Sequence, residues 1–411
     1  MFPLLLLSYL YNSLHILGQR QAVREEGNAL RALLLVVLFL VAFDMHAQTP
    51  LLAPYLNVLG VSAAMIGFVL GGYAISNLTG NLIAGPFLDR FPKKWFIAGG
   101  LILAGVMLIG QGIVQNTAGF FTFRLMLGFL MAFVSPACSA LLGETGKTAL
   151  EQGEIMGKKG LVLTSAGIVS PAVGSFLAVQ FGYGQSFVIL GYMMIIAGVF
   201  AWMMLPDRVE GSTPSAPRMK GGGKQSLTAI LENRLLYPAF LGGFAIIYAQ
   251  GTIIYEVPLL IQRQGLSPAV TGILFSLKGL GALAILLQFW LHRVPVETRT
   301  FAGLGVLSLL LYALAIGLAI PIHVMMFFFG ACFGMLFPAF ATILTVHSPR
   351  ELYGSVFSIY SAVLSIGAVL SPVLAGLLGN WHHSYFIAFF VTAGVCLIGG
   401  LHRFLLSGVP R

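Results

Sequence analysis

Charged residues are scarce in this chain, and the scarcity limits what it can be. Only 9% of its 411 residues are Asp, Glu, Lys or Arg, whereas 58% are hydrophobic. A soluble domain carries roughly 25% charge. The chain therefore cannot cover a globule with water-facing side chains, which excludes an ordinary soluble protein.

Cysteine is nearly absent too. Cys138, Cys332 and Cys396 are odd in number, lie inside apolar segments and lack the spacing of metal ligands. They predict neither a disulfide framework nor a metal site. The sequence also contains no Gly-rich nucleotide-binding loop and no acid–base pair on an extramembrane domain. We therefore expect no enzyme, no catalytic residues and no cofactor.

What the sequence does contain is apolar blocks of about 20 residues, the length that a helix needs to cross a bilayer. They predict twelve transmembrane helices and an all-α polytopic membrane protein. The predicted spans are 31–57, 63–86, 95–115, 119–142, 159–181, 185–205, 236–262, 268–291, 299–319, 321–346, 354–378 and 384–407. The segment 1–30 begins with an apolar stretch of borderline length that we do not count as a span. It lies along the cytoplasmic interface, or the true start is downstream.

The formal net charge of +9 raises the question of a nucleic-acid partner. We expect none, because the basic residues sit in short loops between the apolar blocks and form no single stripe. One set of loops holds nearly all of them, and the opposite set holds only Arg263. The sequence therefore predicts a multi-pass protein of a bacterial plasma membrane. By the positive-inside rule, both of its termini lie in the cytoplasm.

The chain divides into two related halves. Residues 31–205 form the N-terminal six-helix half, 206–235 a flexible basic cytoplasmic linker and 236–411 the C-terminal six-helix half. Several short elements recur in the same order in both halves: LDRFP from Leu88 and LHRVP from Leu291, Pro136-Ala137 and Pro338-Ala339, Ser170-Pro171 and Ser371-Pro372, Gly60 with Ser62 and Gly265 with Ser267. Repeats of six spans indicate a transporter whose binding site lies between the halves.

The loop after the second span carries a signature. It has Gly85, an acid four residues later at Asp89, then Arg90 and the basic pair Lys93 and Lys94. This order resembles the signature loop of the major facilitator superfamily, except that Pro92 stands where that family usually has Gly. The resemblance implies a gating role for these five residues at the cytoplasmic side.

Two further elements resemble the twelve-span drug:proton antiporter family within that superfamily. Arg124 to Gly128 is similar to its Arg-x-x-Gln-Gly element, with Leu127 in place of Gln. Gly167, Pro171 and Gly174 match its antiporter element, in which Ser170 and Ser175 replace Gly. The resemblance implies the major facilitator fold, with two pseudo-symmetric halves, and proton-coupled export by alternating access. It also implies a monomer driven by the proton gradient without a cofactor.

Four charged residues fall within the predicted spans: Asp44, Arg124, Glu256 and Lys278. Each costs roughly 2.5–3.5 kcal/mol at mid-membrane, so we expect all four to face the cavity between the halves. Because a low-dielectric cavity disfavours a charged carboxylate, Asp44 is the candidate proton site, with Arg124 as its modulator. A static bridge from Asp44 to Arg124 or Lys278 is the structural alternative.

The same cavity is expected to bind the substrate, a small organic molecule such as a drug or a metabolite. The candidate substrate-binding residues are Asp44, Glu256, Lys278, Tyr73 and Gln250. Glu256 lies near the outer end of its span and could instead be hydrated there. Because the cavity offers both signs of charge, export of a zwitterionic metabolite or a metallophore stays open. So does proton-coupled symport, meaning import, on the same fold.

Overall fold

The structure, a computed structural model, describes residues 28–146, 148–205, 230, 232–288, 291, 293–349 and 352–407, apart from a few side chains within helices. Within these ranges the chain is almost entirely helical and contains no strand. The long helices are α1 Asn28–Ala47, α2 Ala63–Arg90, α3 Trp95–Ile113, α4 Thr117–Glu144, α5 Ala149–Phe181, α6 Tyr183–Met204, α7 Tyr237–Arg263, α8 Pro268–Leu286, α9 Val296–Ala315, α10 Ile322–Val346, α11 Tyr353–Leu378 and α12 Trp381–Ser407.

Each of these twelve helices of the described chain contains a stretch long and apolar enough to cross a membrane, which confirms the predicted number of spans. The N-terminal segment 1–30 and the linker 206–235 lie mostly outside the described residues.

Three span boundaries were wrong. The predicted span 31–57 is not one helix, because α1 ends at Ala47 and a short helix follows at Leu52–Val58. The helix α5 begins at Ala149 and not at 159. The Thr148 hydroxyl caps this start by accepting from the Glu151 amide at 3.2 Å. The helix α8 ends at Leu286 and not at 291. Hydropathy marks apolar length, so it misses polar helical turns and the point at which a helix ends.

The duplication is visible in the backbone. Gly60 and Gly265 both have a positive φ, of 74° and 69°. Each lies in the loop before the second helix of its half, and glycine adopts this left-handed conformation without steric strain. Ser62 and Ser267 then cap α2 and α8 by accepting from the amides of Met65 and Ala269. The two halves therefore share the same turn chemistry at equivalent places.

Two helix pairs join the halves: α2 packs against α11, and α5 packs against α8. Small residues bring these backbones together. A methyl group at Gly67 would clash with the Pro372 carbonyl, and one at Gly272 would lie 2.6 Å from the Pro171 carbonyl oxygen. Close backbone packing through glycine is a common way to associate helices in lipid, where no hydrophobic force drives helices together.

These contacts between the halves gather at one end of the molecule, which we call the closed end. It contains the loops 59–62 and 264–267. There the Asn57 amide donates to the Gln262 Oε1 at 2.9 Å, and the Tyr255 hydroxyl donates to the Ala63 carbonyl at 2.9 Å. At the opposite end, which we call the open end, α2 and α5 expose Leu82 and Leu161 by 74% and 62%.

Candidate functional site

The break in α1 forms the centre of the candidate site. Pro50 has no backbone N–H to donate, and its ring crowds the carbonyl four residues earlier, which favours a break in the helix here. The Thr49 amide instead donates to the His46 carbonyl at 3.2 Å, and helical structure resumes at Leu52. Discontinuous helices near the bilayer midplane commonly form the binding sites of transporters. Asp44 lies one turn before this break.

Asp44 is 2% exposed and belongs to a chain of polar contacts among α1, α2 and α4. The Gln48 amide nitrogen donates to Asp44 Oδ2 at 2.7 Å. The Arg124 guanidinium donates in turn to Gln48 Oε1. The guanidinium carbon lies 4.6 Å from the centroid of the Tyr73 ring, a cation–π contact. Gln48 thus joins the carboxylate to the guanidinium.

Two atoms of this network stay unsatisfied. Asp44 Oδ1 and Arg124 Nε are buried and have no hydrogen-bond partner among the described residues. No direct ion pair joins Asp44 to Arg124 or to Lys278 in the described chain, so neither static bridge is present. The Asp44 carboxylate therefore has one oxygen without a hydrogen bond, and Gln48 links its other oxygen to the neighbouring cation.

Lys278 belongs to a second cluster, on the other side of α1. Its ammonium lies 4.6 Å from the centroid of the Phe333 ring on α10, and its charge acts on the His46 imidazole. Residues two apart on a helix point about 200° away from each other. His46 and Asp44 therefore leave α1 on opposite sides, and the structure does not bring Lys278 together with Asp44.

Glu256 lies away from both clusters. Its carboxylate is 2% exposed and interacts with Ser384 and with the charge of Arg263, so it points between α7 and α12 inside the C-terminal half. Gln250, one and a half turns earlier on α7, is half-buried. The assignment of both residues to the substrate stays a prediction, and the structure places Glu256 away from Asp44 and Lys278.

The antiporter element lies where α5 meets α1 and α8. At Gly174 the backbone of α5 approaches the Ala47 carbonyl so closely that a methyl group would clash. A methyl group at Gly167 would lie 3.7 Å from His46 Nε2. The Pro171 carbonyl faces Gly272 of the other half. Gly167 and Gly174 therefore pack α5 against α1 within the N-terminal half, and Pro171 lies at the contact with the other half.

The signature loop lies at the open end, between α2 and α3. Lys93 pairs with Glu144 at the end of α4 at 2.8 Å, and the Lys94 ammonium lies 5.4 Å from the centroid of the Trp202 ring. Arg90 is exposed and Gly85 half-buried on the last turns of α2, whereas the side chain of Asp89 lies outside the described residues. The gating role of the loop stays a prediction.

Sequence reasoning missed three residues of these clusters. Gln48 was missed because an uncharged amide in a span is usually an interhelical hydrogen-bonder, although its spacing of four from Asp44 is a usable signal. Glu144 was missed as the partner of Lys93 because it follows an apolar run. Phe333 was missed because it is one of 32 phenylalanines.

The chain is similar in sequence to one protein family and to several known proteins. A family model described as the Major Facilitator Superfamily matches residues 34–363 and 306–411. Multidrug resistance protein MdtG of Klebsiella pneumoniae is 24% identical over 379 residues, covering 89% of this chain and 90% of that protein. Multidrug resistance protein 2 of Bacillus subtilis is 23% identical over 381 residues, covering 89% and 93%.

An uncharacterized MFS-type transporter of Methanocaldococcus jannaschii is 27% identical over 238 residues, which span 56% of this chain and 61% of the archaeal protein. Among solved structures, the chain is similar to a bacterial homolog of the human lysosomal transporter Spinster in an inward-facing, unoccupied conformation. The TM-score is 0.74 at 15% identity, covering 92% of this chain and 96% of that one.

Proposed function

This chain belongs to the major facilitator superfamily, whose members are transporters and not enzymes, and on that premise we propose that it exports small organic molecules in exchange for protons. The all-helical fold with twelve spans and the fold of the Spinster homolog agree with the family, and they confirm the expected architecture. The chain is thus a multi-pass membrane protein. The export, the proton coupling and the residues below are the proposal.

The direction of transport is supported by the relatives. Two proteins that align with 89% of this chain are named multidrug resistance proteins. By the positive-inside rule, the open end with the signature loop lies on the cytoplasmic side of a bacterial plasma membrane. The substrate then enters from the cytoplasm and leaves when the closed end opens. The proton gradient supplies the energy without a cofactor, and one chain contains the whole pathway.

The observation that carries the proton coupling is the free Oδ1 of Asp44. A buried carboxylate is more easily kept neutral than charged, and it can hold one proton on an oxygen that no other group occupies. The Gln48 amide already satisfies Oδ2. Protonation at Oδ1 therefore needs no rearrangement of that hydrogen bond.

Exchange follows from how the charge changes at this site. When Asp44 loses its proton, its negative charge sits two hydrogen bonds from Arg124 and stabilises that cation. When Asp44 gains a proton, Arg124 loses this stabilisation. Burial of its charge and of its unpaired Nε then becomes less favourable. The two protonation states thus favour different arrangements of α1 against α2 and α4, which is what a coupled transporter requires.

Transport by vesicles with the open face outward tests this proposal. Everted membrane vesicles with an acidic interior are prepared with the wild-type chain, with Asp44→Asn and with Glu154→Gln. Glu154 is an exposed carboxylate paired with Lys158 at 2.7 Å, so its variant controls for the loss of one acid. We expect a panel of cationic dyes, neutral drugs and hydrophobic carboxylates to include one that collapses the pH gradient with wild type and Glu154→Gln but not with Asp44→Asn.

Two results would sink the proposal. If no compound of the panel dissipates the gradient with the wild-type protein, whereas some collapse a gradient of opposite sign, the chain is an importer. If Asp44→Asn dissipates the gradient as fully as wild type, then Asp44 is not the proton site.

A further inference from the structure

Lys278 is the cation that the proposed proton site leaves unexplained. Three other described lysines each reach an oxygen: Lys93 on Glu144, Lys158 on Glu154 and Lys159 on the Ser139 hydroxyl at 2.8 Å. Lys278 lies deeper than these, midway along α8. Among the described residues, no carboxylate pairs with its ammonium, which contacts the face of the Phe333 ring. The Lys278 ammonium is therefore a cation without a neighbouring anion among the described residues.

The backbone holds Lys278 firmly in place. On one side, the Lys278 carbonyl lies so close to Gly330 of α10 that a methyl group there would clash. On the other side, the next residue, Gly279, faces the Gly167 carbonyl of α5, 3.0 Å from where a methyl group would stand. The lysine therefore projects from a helix packed between α10 of its own half and α5 of the other half, and a group on rigid elements is well suited to bind a ligand.

The surroundings define the kind of ligand. His46 of α1 lies close enough to Lys278 to interact with its charge. The Nε2 atom of His46 lies against Gly167. The Phe333 ring contacts the ring of Phe337, which lies one turn nearer the open end. The two rings are tilted against each other, with centroids 5.8 Å apart. The site offers one cation, one imidazole and two aromatic rings, of which Phe333 is buried and Phe337 partly buried. These groups match an anionic head attached to an apolar body.

We propose that Lys278 and His46 form a subsite for the carboxylate of an organic substrate whose apolar part packs along Phe333 and Phe337. This inference rests on the proposed export of small organic molecules and specifies its substrate class as hydrophobic carboxylates, including zwitterions that carry one. Asp44 is not part of the subsite, because it leaves α1 on the opposite side. Proton binding and carboxylate binding thus use separate groups.

Binding without a proton gradient tests the subsite. The purified full chain in lipid nanodiscs is titrated by calorimetry with 1-naphthoate, indole-3-acetate and decanoate, and with the primary amide of each. The charge is the main difference within a pair. We expect at least one carboxylate to bind tenfold or more tightly than its amide. In Lys278→Met this preference should fall to twofold or less, whereas Lys278→Arg and the exposed control Lys158→Met should retain it.

Chemical protection gives a second measurement that needs no variant. A bound carboxylate should slow the acetylation of Lys278 by acetic anhydride, read by mass spectrometry, whereas the amide should not. Wild-type protein in which no carboxylate outcompetes its amide would overturn the inference. So would a preference that survives in Lys278→Met, or equal protection by sodium chloride or acetate, which would show a general anion site.

The two proposals fail separately in these experiments. The titration contains no gradient, so its result does not depend on whether transport is coupled to protons. Carboxylate binding that requires Lys278, together with unimpaired coupling in Asp44→Asn, would overturn the proton site alone. Normal coupling through Asp44 without any carboxylate preference would overturn the subsite alone.

Discussion

At the scale of single residues, the chain keeps several charged side chains inside an apolar environment. An isolated buried charge is unfavourable, so it needs a partner, a hydrogen bond or a proton. Arg124 has the Gln48 oxygen and the Tyr73 ring, and Asp44 has one amide and one free oxygen. We expect such incomplete satisfaction of a group that binds and releases a proton, whereas a bridge that only holds two helices together would be fully paired.

Gln48 is predicted to be a positioning residue for proton coupling. Gln48→Met keeps the size of the side chain but removes its hydrogen bonds to Asp44 and Arg124. Hydrogen bonds to charged groups contribute about 1.5–3 kcal/mol. We expect gradient-driven transport in proteoliposomes to fall about tenfold or more, with a shifted pH profile and unchanged substrate affinity. A merely structural role would instead lower the thermal stability and leave the pH profile of the remaining activity as in wild type.

The sequence identifies the charged residues of the site but not how they are grouped. Asp44 and Lys278 could be selected because charge inside a span is rare. Their separation on opposite sides of α1 could not be predicted, because it depends on the rotation of that helix against its neighbours. The same reason explains Glu256, which packs towards Ser384 within its own half. Neutral residues such as Gln48 give no such signal.

At the scale of helices, the sequence predicts which segments span the membrane but not how closely they approach. Glycine makes backbone contact possible, and the chain has 50 glycines. Only some of them lie at contacts. Gly330 faces the Lys278 carbonyl on α8, whereas Gly305 on α9 has no atom near the place of an added methyl group. The break of α1 was missed as well, because apolar residues resume directly after Pro50 and the whole stretch reads as one span.

This difference predicts opposite effects of the same substitution. In Gly330→Ala the added methyl group pushes α8 away from α10, and overpacking of this kind costs about 1–3 kcal/mol. In Gly305→Ala the methyl group meets open space and gains about 1 kcal/mol of helix propensity. We expect Gly330→Ala to lower the midpoint of thermal unfolding in detergent and Gly305→Ala to leave it equal or higher. Equal midpoints for both variants would contradict the close packing of α8 and α10.

At the scale of the whole molecule, the two halves are joined at one end and each has a large hydrophobic cluster. The cluster of the N-terminal half also includes Tyr255, Leu259 and Ala375 of the other half. Transport by alternating access requires that this joint open while each half stays intact. The closed end suits that requirement, because its polar contacts are few and can be replaced by water. Asn57 and Gln262 share one hydrogen bond there, and Gln262 also donates to the Pro54 carbonyl at 3.2 Å.

A covalent link across this joint is predicted to stop transport. Asn57→Cys and Gln262→Cys are introduced into a chain whose Cys138, Cys332 and Cys396 are replaced by Ala, so that only the new pair can react. We expect oxidation to form the disulfide and abolish transport, and a reductant to restore it. Each single cysteine variant serves as the control. Full transport by the cross-linked protein would mean that the closed end does not open during the cycle.

The most direct test of the central claim compares two modes of transport by Asp44→Asn in proteoliposomes. One is accumulation driven by a pH gradient, and the other is exchange of labelled for unlabelled substrate without any gradient. If Asp44 is the coupling proton site, the variant should lose gradient-driven accumulation and retain exchange at a rate comparable to wild type. Gradient-driven accumulation at the wild-type level by Asp44→Asn would contradict the account.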